Sequence, residues 1–85
     1  MPAAGIHLAN HRFTIRGSAS PDLPLRVLNL FAQRDLAVQR VVISRENAEY
    51  VLDIEHHGLS SDKADTLIEK LRAIVLVSHA DMRIL

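Results

Sequence analysis

Histidine is the residue type best suited to chemistry in this 85-residue chain, which holds five histidines and no cysteine. His56 and His57 are adjacent on a predicted strand, so their side chains point to opposite faces and cannot easily share a metal ion. His7 and His11 lie in or beside the N-terminal segment, and His79 lies near the start of the last predicted strand. Zinc or copper needs convergent ligands at helix or loop spacing. We therefore expect structural or surface histidines, with no metal site and no cofactor.

The other candidates for chemistry are serines and carboxylates. Ser18 and Ser20 have no base close in sequence, so we expect them to form hydrogen bonds within a loop. Asp53 and Glu55 are two residues apart on a predicted strand and share a face, where arginines of a neighbouring strand can pair with them. No nucleophile, base and orienting group occur together. The sequence therefore predicts that the chain is not an enzyme.

One loop has features of a ligand site: Ser20, Pro21, Asp22 and Leu23, which lead into a helix. Pro21 and Pro24 end the preceding element, because proline fixes φ and has no N–H group. Asp22 is predicted to be the N-cap, accepting hydrogen bonds from the N–H groups that open the helix. A free helix N-terminus attracts anions. Here we expect the Asp22 carboxylate to occupy those groups itself.

Hydrophobic periodicity predicts six elements around this loop. Phe13 and Ile15 alternate with polar residues in a strand over residues 11–18, and the first helix ends near residues 34 and 35. Residues 36–45 and 50–55 form two strands joined by a tight turn, and Ser60 or Ser61 begins a second helix. A last strand holds Ala80, Met82 and Ile84. The order βαββαβ predicts an α+β fold, the ferredoxin-like sandwich of a four-stranded antiparallel sheet with two helices on one face.

Composition limits the domain organisation and the partners. We expect residues 1–10 to form a flexible tail and residues 11–85 to form a single domain. Ten Lys and Arg balance ten Asp and Glu, so no net charge attracts nucleic acid or an anionic membrane. No apolar run approaches the roughly 20 residues of a membrane span, and the N-terminus lacks a signal-peptide pattern. The sequence predicts a cytoplasmic protein.

The first helix has an apolar flank, Leu25, Leu28 and Ala32, in addition to the stripe of Val27 and Phe31 that we expect to face the core. Either the helix end and the loops cover this flank, or it contacts a partner chain. The predicted sheet also has exposed edges, which favour pairing. We therefore expect a homodimer that buries roughly 1,200 Å² or more.

Two segments carry a family resemblance. Residues 20–38 (SPDLPLRVLNLFAQRDLAV) resemble the opening of an ACT domain, more specifically that of the short small subunits of acetolactate synthase, and residues 74–80 (IVLVSHA) resemble a second segment of those subunits. The likeness covers residues 12–84. It implies a non-catalytic regulatory subunit of branched-chain amino-acid biosynthesis, which docks on a thiamine-diphosphate-dependent catalytic subunit. It also implies side-by-side pairing and an amino-acid effector site at the loop of residues 20–23.

The chain departs from the family pattern at two glycines. Members that bind amino acids have a glycine after the loop proline, where Asp22 stands here, and another at the end of the helix, where Asp35 stands. The Asp22 carboxylate would repel an amino-acid carboxylate, so the resemblance favours regulation through protein contacts. Two alternatives stay open. One is a stand-alone amino-acid-binding ACT sensor, and the other is a small acylphosphatase-like enzyme, which Arg16 and Gly17 weakly suggest.

Overall fold

A computed structural model describes residues 7–85 of the chain, in the order βαββαβ. The strands are β1 (Leu8–Ser18), β2 (Arg40–Glu46), β3 (Glu49–Ser60) and β4 (Val77–Ile84), and the helices are α1 (Asp22–Gln33) and α2 (Ser61–Arg72). They form one sheet in the order β2-β3-β1-β4, in which every neighbouring pair is antiparallel. The predicted ferredoxin-like topology is confirmed.

Alternation in the two central strands decides which face the helices cover. Phe13 and Ile15 of β1 are fully buried, and they lie opposite Ile54 and Leu52 of β3, which are also fully buried. Thr14, between the two β1 core residues, points to the other face and stays partly exposed. The sheet therefore has one apolar face beneath the helices and one polar face that they leave open.

Helix α1 contributes Leu23, Val27 and Phe31 to the core, at the helical spacing of four residues. Phe31 is 1% exposed, and its ring meets that of Phe13 edge-on, with 5.5 Å between centroids and 81° between planes. Such an arrangement is favourable because the positive edge of one ring meets the negative face of the other. The prediction that Phe31 lies in the core is confirmed.

The first two strands differ in extent from the prediction. β1 begins at Leu8 rather than at His11, because Leu8 and Ala9 pair with the end of a β3 that runs past its predicted limit. Of the predicted tail, residues 1–6 lie outside the described residues. β2 begins at Arg40 rather than at residue 36, and residues 36–39 connect it to α1.

That connection follows from how α1 ends. The N–H of Leu36 donates to the carbonyl of Phe31 (2.9 Å) and the N–H of Asp35 to that of Ala32 (3.0 Å), which is the Schellman pattern. Asp35 adopts a φ of 56°, the left-handed conformation that this motif requires. Leu36 and Val38 then pack against the core from a loop. Leu36 and Val38, which suggested a strand, are therefore partly buried from a loop that precedes β2.

Helix α2 begins as predicted. The Ser60 hydroxyl accepts a hydrogen bond from the Lys63 N–H (3.3 Å), and Ser60 is extended, as an N-cap should be. The stripe of Ala64, Leu67, Ile68 and Leu71 is buried against the sheet. Within residues 7–85, neither helix is long and apolar enough to cross a membrane.

Candidate functional site

The loop between β1 and α1 is held from two sides. The Ala19 N–H donates to the carbonyl of Ala48 in the β2–β3 turn (2.9 Å), and the Ser18 N–H donates to the carbonyl of Leu76 just before β4 (3.0 Å). Gly17 makes this approach feasible, because a Cβ atom there would lie 2.3 Å from the Leu76 oxygen. Three parts of the chain distant in sequence therefore fix the path of the loop.

The N–H groups that open α1 are already used or missing. The Asp22 N–H lies 3.4 Å from the Ser20 hydroxyl, and the Leu23 N–H donates to the Ser20 carbonyl (3.0 Å). Pro21 and Pro24 have no N–H. Anions bind at a helix N-terminus through unpaired N–H groups. The backbone donors of the first turn are therefore not offered to a ligand.

The prediction that Asp22 caps α1 is wrong. Pro21 already has helical angles (φ −56°, ψ −25°) and takes the N-cap position, where the apolar proline ring cannot accept a hydrogen bond. Asp22 is therefore the first helical residue, and its carboxylate does not occupy the capping position from which it was expected to accept the opening N–H groups of α1. It stands 3.8 Å from the Arg26 guanidinium, one turn along, with both side chains more than 60% exposed.

Ser20 takes over the role predicted for Asp22. The sequence predicts loop hydrogen bonding for Ser20 but no role at the helix start. The sequence signal was available: a serine directly before a proline that can begin a helix is well placed to hold the next N–H groups. Of the four residues of the predicted effector loop, Pro21 and Asp22 are exposed, Ser20 is half-buried and Leu23 is fully buried in the core.

The apolar flank of α1 is only partly covered. Leu25 is 67% exposed and Ala32 is exposed, whereas Leu28 is partly buried against the core. The edge strand β2 adds exposed apolar side chains, Val42 at 38% and Ile43 at 44%. The molecule therefore exposes apolar side chains on both a helix and an edge strand, and Val42 lies on the open face of the sheet.

The adjacent histidines on β3 point to opposite faces, as predicted. His56 is buried and donates from Nδ1 to the Ala37 carbonyl, whereas the exposed His57 donates from Nε2 to the Glu55 carboxylate (2.8 Å). Across residues 7–85, no group of three or more His, Cys, Asp and Glu side chains is arranged to hold a metal ion.

The carboxylates on the open face of the sheet have nearby partners. Glu55 lies 3.4 Å from the Arg12 guanidinium, as predicted, while Asp53 accepts a hydrogen bond from the Thr14 hydroxyl (2.8 Å) rather than from an arginine. The hydrogen bond from His57 is the main reason why the pKa of Glu55 lies below its ordinary value. Desolvation is the second-largest effect and raises this pKa, while the weaker hydrogen bond from Arg12 lowers it.

Arg16 and Gly17 do not form a phosphate-binding loop. The Arg16 guanidinium pairs with the Glu46 carboxylate on β2 (3.2 Å), and Gly17 is used for the close contact with the Leu76 carbonyl. The two residues that weakly suggested an acylphosphatase-like enzyme therefore have other roles.

One family model matches most of the chain, and solved structures share its fold. A family profile described as an ACT-like domain matches residues 4–85. No curated protein matches the chain significantly. Among solved structures, the ACT domain from GTP pyrophosphokinase of Chlorobium tepidum is similar with a TM-score of 0.79 and 16% identity, over 91% of this chain and 100% of that one.

Two further structures show the same fold. An uncharacterized protein from Thermotoga maritima is similar with a TM-score of 0.76 and 15% identity, over 93% of this chain and 99% of that one. The ligand-free regulatory subunit of aspartate kinase from Thermus thermophilus has a TM-score of 0.69 and 16% identity, over 93% of this chain and 53% of that one.

Proposed function

This chain belongs to the ACT-like domain family, and we propose that it is a cytoplasmic regulatory subunit without catalytic activity of its own. It would act by binding a catalytic enzyme of amino-acid biosynthesis. The resemblance of residues 20–38 and 74–80 to the small subunits of acetolactate synthase makes that enzyme, in the branched-chain pathway, the first partner to test.

The observation that supports this proposal is that the backbone N–H groups at the start of α1 are either hydrogen-bonded or missing. The Asp22 and Leu23 N–H groups are engaged by Ser20, and the neighbouring prolines have none to offer. The exposed Asp22 carboxylate adds a negative charge at the point where an effector carboxylate would approach. We infer that this loop does not serve as an amino-acid site and that regulation passes through contacts between proteins.

A homodimer is part of the proposal. Edge strand β2 has unpaired backbone groups on its outer side, and such an edge favours strand pairing with a second copy. The exposed Leu25, Val42 and Ile43 would supply apolar contact area on the same subunit. We expect sedimentation to show a dimer at micromolar concentration, with about 1,200 Å² or more buried. A monomer at that concentration would contradict this part of the proposal.

The decisive experiment asks whether the chain activates an enzyme. The purified chain is added to the catalytic subunit of acetolactate synthase from the same organism, and acetolactate formation is measured with and without it. Capture on the tagged chain from native extract, followed by mass spectrometry, tests other catalytic partners. We expect the activity of the captured enzyme to rise when the chain is added. Recovery of no amino-acid-biosynthesis enzyme, together with no activation, would refute the proposal.

A matched pair of variants locates the contact. Leu25→Asp places a charge on the apolar flank of α1, whereas Gln33→Asp makes a similar change at an exposed polar position of the same helix. We expect Leu25→Asp to weaken dimerisation or enzyme binding by tenfold or more, about 1.4 kcal/mol, and Gln33→Asp to have little effect. Equal behaviour of the two variants would exclude the flank from the interface.

Calorimetry separates this function from that of an amino-acid sensor. We expect valine, leucine and isoleucine to bind with a Kd no tighter than about 1 mM, which corresponds to about 4 kcal/mol. Asp22→Gly alone should gain little affinity, because Ser20 still engages the first N–H groups. Adding Ser20→Ala should release the N–H of position 22 and strengthen binding. Micromolar binding by the natural chain would favour the sensor.

A further inference from the structure

The open face of the sheet carries a row of charged residues that crosses all four strands. Arg40 on β2 lies opposite Glu55 on β3, Glu55 lies opposite Arg12 on β1, and Arg12 lies opposite Arg83 on β4. Because neighbouring strands are about 4.8 Å apart, the row spans roughly 14 Å. It lines a shallow concavity of about 580 Å³ on this face. Three guanidinium groups and one carboxylate therefore share one strip of surface.

The carboxylates of this concavity are engaged by their neighbours. Glu55 is hydrogen-bonded to His57 (2.8 Å) and lies 3.4 Å from Arg12. Asp53, in the next row, accepts the hydrogen bond of the Thr14 hydroxyl (2.8 Å). Each keeps its negative charge, so the two carboxylates offset two of the three guanidinium charges that line the concavity.

The outer arginines, Arg40 and Arg83, differ from Arg12. Among residues 7–85, neither Arg40 nor Arg83 forms an ion pair with a carboxylate. Asp81 lies two residues before Arg83 on the same face of β4, but it is hydrogen-bonded to His79 (2.9 Å). The two ends of the row therefore carry guanidinium groups that form no ion pair within residues 7–85, and the Asp81 charge lies one row away from Arg83.

The pairing of Arg12 with Arg83 is unfavourable without a ligand. Like charges directly opposite each other on neighbouring strands destabilise a sheet, and Glu55 lies on only one side of Arg12. An anion lying over both arginines would remove the repulsion. The planar guanidinium group suits phosphate oxygens in particular, because its N–H donors can engage two of them at once.

We propose that the open face of the sheet binds a small phosphate-bearing anion with two or more negative charges. Arg12 and Arg83 hold one phosphate group, and Arg40 attracts the far end of the molecule. This site lies on the face opposite the helices and does not depend on whether the chain regulates an enzyme.

Pyrophosphate is the probe for this site. The whole chain is titrated with pyrophosphate at low ionic strength, where charge–charge interactions are least screened, and binding is followed by calorimetry and by amide NMR shifts. We expect a Kd below about 1 mM. We also expect shifts at Thr14 and Asp53 on the open face, with little change at Ser20 and Leu23 near the helix entrance.

Three variants of equal charge change test the assignment. Arg83→Gln and Arg40→Gln should each weaken pyrophosphate binding, the first by at least tenfold. Arg26→Gln, on the opposite layer and 62% exposed, is the matched control and should bind within twofold of the natural chain. Arg83 and Arg40 are exposed, so their variants should fold, which circular dichroism checks.

Several results would overturn the proposal. One is a Kd weaker than about 1 mM for the natural chain. Another is an equal loss of affinity in Arg26→Gln and Arg83→Gln, which would show attraction to overall charge only. Tighter binding of succinate would overturn the assignment to phosphate, and tighter binding of a glutamate-rich peptide would identify an acidic protein segment instead.

Discussion

Replacing Phe31 with alanine tests how α1 is held on the sheet. Phe31 is 1% exposed and packs edge-on against Phe13. Truncation of a buried phenylalanine costs about 3–5 kcal/mol, of which the aromatic pair accounts for about 0.5–1.5 kcal/mol. Stabilities of roughly 0.05–0.15 kcal/mol per residue give about 4–13 kcal/mol for a chain of this length. We expect the variant to lose a large part of its stability.

The measurement is urea unfolding followed by circular dichroism, with thermal melts alongside. A loss of 3 kcal/mol should lower Tm by roughly 12–24 °C, since each kcal/mol shifts Tm by about 4–8 °C at this size. Gln33→Ala is the control, because Gln33 lies at an exposed polar position of the same helix, and it should change stability by about 0.5 kcal/mol or less.

The reasoning would be refuted if Phe31→Ala lowered the free energy of unfolding by less than about 1 kcal/mol, because truncating a side chain at the centre of the core should cost more than that. If Phe31→Ala does not fold, Phe31→Leu keeps the test open. That swap keeps an apolar side chain of closer size and should cost less than alanine but more than the Gln33→Ala control.

Three further predictions concern the backbone and the open face. Gly17→Ala should lower the free energy of unfolding by about 1–3 kcal/mol or more, because its Cβ would lie 2.3 Å from the Leu76 oxygen; wild-type stability in urea would contradict the close contact. Asp35→Gly should raise that free energy by about 1 kcal/mol or less, because glycine adopts the φ of 56° without steric cost; a loss of stability would contradict this. The lowered pKa of Glu55 means that this carboxylate stabilises the fold above pH 4.5 and loses that contribution as the pH falls through its folded-state pKa. His57→Ala should raise the Glu55 pKa in an NMR titration, and an unchanged pKa would assign the shift to another group.

Local patterns were reliable wherever a residue's role depends on near neighbours. The alternation of Phe13 and Ile15, the helical spacing from Leu23 to Phe31 and the capping serine of α2 each involve residues a few positions apart, and each is confirmed. They also decided the element order and hence the fold.

At the start of α1, the helix was predicted correctly but its capping residue was not. Pro21 and Asp22 both favour a helix start, and the sequence does not say which of them begins the turn. In the structure Pro21 is already helical, so the cap moves back and Ser20 holds the N–H groups. Because of this shift of one residue, it is Ser20 and not Asp22 that decides whether the first N–H groups are available to a ligand.

The sequence by itself determined which elements form and their order, and for β1, α1 and α2 also the side that faces the core, because these depend on spacing along a few turns or strand residues. Only the tertiary structure decided which distant residues meet. Gly17 packs on the Leu76 carbonyl, and Arg12 lies opposite both Glu55 and Arg83. Those contacts depend on strand order and register, which are set when the whole sheet pairs, and no local pattern of residues specifies them.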